Sequence, residues 1–110
     1  MKKIFEINNT IKPFKKVIKV EGDKSLSIRW VLLASLSQKK SIAYNLPKSE
    51  DVTSAIRCVK SLGSKVTIKS KRCEIKGIGL NDKFKKNIIL NAGNSGTLGR
   101  LILGLLVNTK

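Results

Sequence analysis

The feature that most limits how this chain can fold is a change of period between residues 49 and 76. Val52, Ala55, Ile56 and Val59 fall at i, i+3, i+4 and i+7, a single apolar stripe along a helix. Ser49 precedes them as an N-cap, and Glu50 and Asp51 put two acids in the first turn, where the helix dipole favours them. Leu62-Gly63 supplies the stop. The period then becomes two. Val66 and Ile68 alternate with Lys65, Thr67 and Lys69, and after a short turn Cys73 and Ile75 alternate with Arg72, Glu74 and Lys76. That is a hairpin with one face inward. A one-faced helix and a one-faced hairpin hide their apolar sides by packing in layers, so the fold class is α/β.

The flanking elements extend the pattern. Ser25 to Leu36 reads as a first helix, apolar over more than one stripe and therefore well buried. Ser41 to Tyr44 reads as a strand closed by Asn45-Leu46-Pro47. Ile4 to Ile7 and Val17 to Val20 are expected as short strands around a turn near Asn8-Asn9 and Pro13. Gly77, Gly79, Asn81 and Asp82 mark a loop, Asn87 to Leu90 a strand, and Asn91 to Gly96 a glycine-rich turn. A last helix carries Leu98, Leu101, Ile102, Leu105 and Leu106 at helical spacing. The order from about residue 14 is βαβαββ followed by the start of another βα, a repeating module cut off. With 110 residues there is room for one domain with a modest core. The apolar face of the last helix has nothing after it to cover it.

Charge comes next. Lys+Arg is 23 against 7 for Asp+Glu, a formal net charge of +16, which suits anionic partners. Most of the cations are lysines spread along the chain, and the aromatics are only 5%, with no basic-aromatic interleaving that would stack bases. No nucleic-acid partner is expected on that ground. No run of roughly 18 apolar residues exists, so no membrane partner is expected either, and the start lacks a secretory core, which points to the cytoplasm. Cys58 and Cys73 stand where buried apolar residues fit and read as reduced core thiols, not as a metal or redox pair. The chain has no His, which removes the commonest general base and metal ligand.

Two stretches carry chemistry. In Gly22-Asp23-Lys24-Ser25-Leu26-Ser27-Ile28-Arg29, a helix beginning near Ser25 puts Ser25 and Arg29 on one face, with Lys24 just outside the N-terminus. A cation, a hydroxyl and a guanidinium converging on a helix start can hold a phosphate or carboxylate. The plainer reading makes Asp23 or Ser25 an N-cap and the cations solvated. In Asn91-Ala92-Gly93-Asn94-Ser95-Gly96-Thr97-Leu98-Gly99-Arg100, a glycine turn runs into a helix start with Arg100 one turn in. This spacing is neither a dinucleotide fingerprint nor a P-loop.

Taken together, these residues resemble the opening part of the 5-enolpyruvylshikimate-3-phosphate (EPSP) synthase family. Residues 22–29 are similar to its Lys-Ser-x-Ser-x-Arg signature. Asn45-Leu46-Pro47-Lys48-Ser49-Glu50-Asp51 is similar to its Asn-Leu-x-x-Ser-x-Asp segment, and Asn94 to Arg100 to its Asn-Ala-Gly-Thr-x-x-Arg segment. The resemblance implies enolpyruvyl transfer from phosphoenolpyruvate to the 5-hydroxyl of shikimate 3-phosphate, with phosphate released and no metal or organic cofactor. It also implies an inside-out α/β barrel built from βαβαββ units. By position, Lys24 would contact both substrates, Ser25 and Arg29 shikimate 3-phosphate, and Gly96 phosphoenolpyruvate. Asn94, Thr97 and Arg100 would shape that side, and Asp51 would be a nearby structural acid. Ser95 stands where the family usually has Ala, and Leu101 where many members have Pro.

The proton-transferring carboxylate and lysine of the family come from later in its chain, so no catalytic residue is assigned here. Residues 1–110 are expected to be an incomplete N-terminal part, inactive without the remainder of the enzyme. Two alternatives remain: a related enolpyruvyl transferase such as the one acting on UDP-N-acetylglucosamine, or a small basic βαβαββ RNA-binding module.

Overall fold

The computed structural model describes residues 3–80 and 87–107. Among the described residues three helices, α1 (Lys24–Ser35), α2 (Glu50–Ser61) and α3 (Gly96–Leu106), lie with three strands, β1 (Lys40–Tyr44), β2 (Lys65–Lys69) and β3 (Arg72–Lys76). The sheet is antiparallel in the order β1-β3-β2. Its central strand is held by registers Ser41↔Ile75 and Ala43↔Cys73 on one side and Val66↔Ile75 and Ile68↔Cys73 on the other. Those six residues form the inward face, and Cys73 and Ile75 at its centre are buried.

Onto that face α1 and α2 bring Ile28, Val31 and Leu32, and Val52, Ala55, Ile56 and Val59; α3 packs against these two helices and adds Leu98 and Ile102 to the core. Ile28, Val31, Ala55, Val59, Ile75 and Leu98 have no exposed surface, which puts the core between the helices and the sheet. Ser49 caps α2 as expected, its Oγ accepting from the Val52 amide at 3.3 Å. Both cysteines are free and buried.

Several expectations are corrected. α1 begins at Lys24, with Asp23 as its N-cap, so Lys24 is the first helical residue and not a residue outside it. Leu26 and Leu33 of α1 are each 67% exposed, so that helix is less buried than its composition suggests. Ile4–Ile7 and Val17–Val20 form no strand, and neither does Asn87–Leu90. A strand exists only through its ladder, and among the described residues the outer edges of β1 and β2 are unpaired. The apolar residues of the first two segments stay exposed, whereas Ile88 and Leu90 pack on the core without regular structure. The module therefore reads αβαββ, with each expected leading strand absent. Asn81 and Asp82, and the chain end at Asn108–Lys110, lie outside the described residues.

Candidate anion site at the helix starts

Three helices begin at one end of the molecule. Lys24 Nζ lies 3.2 Å from Asp51 Oδ2, tying the first residue of α1 to the first turn of α2. Behind that bridge the backbone at Gly22 approaches the loop after β1. A Cβ on Gly22 would fall 2.6 Å from the Asn45 carbonyl oxygen, and Asn45 itself takes the left-handed φ of 59°. Also against α2, a Cβ on Gly93 would lie 2.9 Å from Ser54 Oγ and 3.9 Å from Glu50 Oε1. The turn before α3 is thus pressed against the first turn of α2. Gly93 has φ +58°, a conformation that L side chains rarely adopt, and its amide donates to Asn91 Oδ1 at 2.8 Å.

The starts of α1 and α3 are built alike. Asp23 Oδ1 accepts from the Leu26 amide at 2.7 Å, and Ser95 Oγ from the Leu98 amide at 3.2 Å. Helical bonding resumes at Ser27 N–H to the Asp23 carbonyl and at Gly99 N–H to the Ser95 carbonyl. Of the N–H groups that a helix start leaves unpaired, each cap takes one. The amides of Lys24 and Ser25, and of Gly96 and Thr97, have no acceptor among the described residues. In each helix an arginine folds back toward those amides. Arg29 Nη1 donates to the Ser25 carbonyl at 3.0 Å, and Arg100 Nε to the Gly96 carbonyl at 3.3 Å.

The start of α2 is capped in the same way, Ser49 Oγ taking the Val52 amide and the Ser49 carbonyl the Thr53 amide, and differs in its charge. It carries Glu50 and Asp51 in its first turn, while α1 and α3 carry no acid there. Those two carboxylates meet the dipole of α2, the Asp23 cap alone meets that of α1, and the start of α3 has no acid. Gly96 is open: a Cβ there would meet nothing within 4 Å.

The residues singled out in the sequence fall in two groups that this packing gathers. Lys24, Ser25 and Arg29 form the first, and Asn94, Gly96, Thr97 and Arg100 the second, with α2 touching both. Asn94 and Gly96 are exposed and Thr97 is half-buried. Arg29 also faces α3 across a groove of about 240 Å³ that it lines with Leu32, Leu33, Leu36, Leu101 and Leu105. Sequence reasoning did not find the packing of Ser54 and Glu50 beneath Gly93. Ser54 is fully buried and accepts from Arg57 Nη2 at 3.0 Å, and its small size between Val52 and Ala55 was the available signal. Among the described residues no cluster of His, Cys, Asp or Glu could hold a metal ion. None of the described helices is long and apolar enough to cross a membrane.

Comparison with known proteins gives one family. The family model described as EPSP synthase (3-phosphoshikimate 1-carboxyvinyltransferase) matches residues 8–110. The 3-phosphoshikimate 1-carboxyvinyltransferase of Syntrophomonas wolfei subsp. wolfei is 37% identical over 101 residues, 92% of this chain and 24% of its own length. That of Thermoanaerobacter sp. (strain X514) is 40% identical over 97 residues, 87% of this chain and 22% of its own. A solved structure of EPSP synthase from Acinetobacter baumannii superposes with a TM-score of 0.77 at 26% identity, covering 84% of this chain and 21% of that one. The chain spans about a quarter or less of the length of the relatives it matches.

Proposed function

The chain belongs to the EPSP synthase family, and we propose that it supplies one wall of an enolpyruvyl transferase site. Phosphoenolpyruvate and shikimate 3-phosphate are its substrates, and residues 1–110 form the N-terminal part. The observation that carries this reading is the contrast among the three helix starts. The two with no acid in the first turn are the ones onto which an arginine folds back, whereas α2 sets Glu50 and Asp51 beside its own free amides. Both substrates are anions that repel one another. Backbone N–H groups, helix dipoles and fixed cations neutralise them without reorganising when they meet. Lys24, bridged to Asp51 of α2, serves both substrates. Ser25 and Arg29 hold shikimate 3-phosphate, and Gly96 lets phosphoenolpyruvate approach α3, with Asn94, Thr97 and Arg100 along that side. Asp51 fixes Lys24 through the 3.2 Å bridge, whose partly exposed setting makes it a positioning contact and not a source of much stability.

Proton transfer belongs to groups outside this chain, the remainder of the enzyme working with it in the cytoplasm. The test is phosphate release from phosphoenolpyruvate in the presence of shikimate 3-phosphate. The 110-residue chain alone is expected to release none. The Syntrophomonas wolfei relative with its matching quarter replaced by this chain is expected to turn over, and Lys24→Met or Arg29→Ala in that protein to lose at least tenfold. Turnover by the chain alone, or full activity of either variant, overturns the assignment.

A further inference from the structure

The lysines that look scattered in the sequence are gathered by strand register onto the outward face of the sheet. Alternation in β1, β3 and β2 turns nine residues outward, and five of them are cationic with one acid. At one end Lys40, Lys76 and Lys65 stand side by side across the three strands. At the other, Tyr44, Arg72 and Lys69 do the same. Neighbours in a row are about 4.8 Å apart, and the rows are separated by about 13 Å. Like charges directly opposite each other oppose sheet formation. The one acid, Glu74, lies between the rows and takes up Lys40 at 3.1 Å and Arg72 at 2.6 Å. Lys65, Lys69 and Lys76 make no ion pair among the described residues.

We infer that this face binds a single-stranded nucleic acid, its phosphates following the lysine rows and a base stacking on Tyr44. Three observations select that partner. The cations are spread in rows and do not converge on one point, which suits a chain of phosphates and not one compact anion. The surface is a flat sheet, the shape on which unpaired bases lie, whereas a duplex groove admits a helix or ribbon. Tyr44 is 63% exposed at the end of one row, so its ring is available as a stacking platform. A membrane would call for more apolar area than Ile42 and Tyr44 offer on this face. The surface is opposite the core and shares no residue with the helix starts, so it stands apart from the substrate reading.

The test is fluorescence anisotropy of a labelled 15-nucleotide oligouridylate titrated with the full chain at several salt concentrations. Lys65→Glu/Lys69→Glu/Lys76→Glu is compared with Lys12→Glu/Lys15→Glu/Lys19→Glu, which makes the same change in net charge on the exposed N-terminal segment. The sheet variant is expected to lose at least 30-fold in affinity, and its log K against log[salt] slope to shrink by about 2. The N-terminal variant is expected to lose less than threefold, and Tyr44→Ala roughly tenfold. Gln at the three sheet positions should preserve this ordering, and circular dichroism checks that each variant is folded. Equal losses from the two triple variants would show a response to net charge alone and overturn the inference. So would no loss from either, or tighter binding of a duplex or of phosphatidylserine vesicles than of the single strand.

Discussion

At the level of single residues, Gly93 and Gly96 stand three positions apart and answer to different constraints. Gly93 is required by the fold, since it has φ +58° and a Cβ would press on Ser54 Oγ at 2.9 Å. Gly93→Ala is expected to cost about 1–2 kcal/mol, seen as a lower midpoint in thermal unfolding. A Cβ on Gly96 meets no protein atom, so Gly96→Ala should leave the melting curve in place. Its methyl group would stand where the anion approaches, and binding of phosphoenolpyruvate is expected to weaken about tenfold or more. Ser95 also shows what its departure from the family pattern does here: its hydroxyl caps α3. Ser95→Ala, the residue usual in the family, should therefore destabilise this protein by about 1 kcal/mol. The two thiols belong to the same scale. Burial pushes the pKa of Cys58 up against the lowering influence of Arg57, and burial likewise raises Cys73. A raised pKa keeps the folded thiol neutral where the unfolded one ionises. This contribution to stability is intact below the ordinary value of 9.0 and is lost as pH rises above it. At pH 8 iodoacetamide should label neither cysteine until denaturant is added. Rapid labelling of the native chain would contradict their burial.

At the level of elements, the helices were legible in the sequence and some of the strands were not. The difference lies in where each finds its hydrogen bonds. α2 carries its cap, its stripe and its stop within residues 49 to 63, all of them local. The β2–β3 hairpin is nearly as local, and β1 completes the sheet. Val17–Val20 has the composition of a strand, but its partner lies in no neighbouring residue, so composition alone could not decide it. The candidate site was legible for the same reason as the helices: caps, arginines and glycines are read at fixed offsets from a helix start. The packing of Ser54 and Glu50 under Gly93 and the lysine rows were not, because packing and register bring them together from distant positions. The row Lys40–Lys76–Lys65 gives a prediction at this scale. Lys76→Glu turns two repulsive neighbours into attractive ones and should stabilise the sheet by roughly 0.2–1 kcal/mol per pair. The gain in melting temperature should fade at high salt. A loss of stability at low salt would mean that the row is not arranged as described.

At the level of the whole molecule, residues 3 to 21 are exposed along their length and form no helix or strand. Ile4, Phe5, Ile7, Ile11, Val17 and Val20 are each more than four-fifths exposed. The radius of gyration is 18.4 Å, against about 13 Å for a compact chain of this length. Leu103 on α3 is also largely exposed. These surfaces and the match to about a quarter of each relative agree with a chain that supplies one wall of a site and works with further protein. The central claim is that the starts of α1 and α3 hold the two anionic substrates, and the most direct test is an amide map. The full chain, labelled with nitrogen-15, is titrated with shikimate 3-phosphate and then with phosphoenolpyruvate. The expected result is saturable shifts of the Lys24 and Ser25 amides with the first and of the Gly96 and Thr97 amides with the second. The first residues of α2 should respond less, since their dipole is already met by Glu50 and Asp51. Shifts confined to other surfaces, or the same shifts with inorganic sulfate at equal concentration, would contradict the claim.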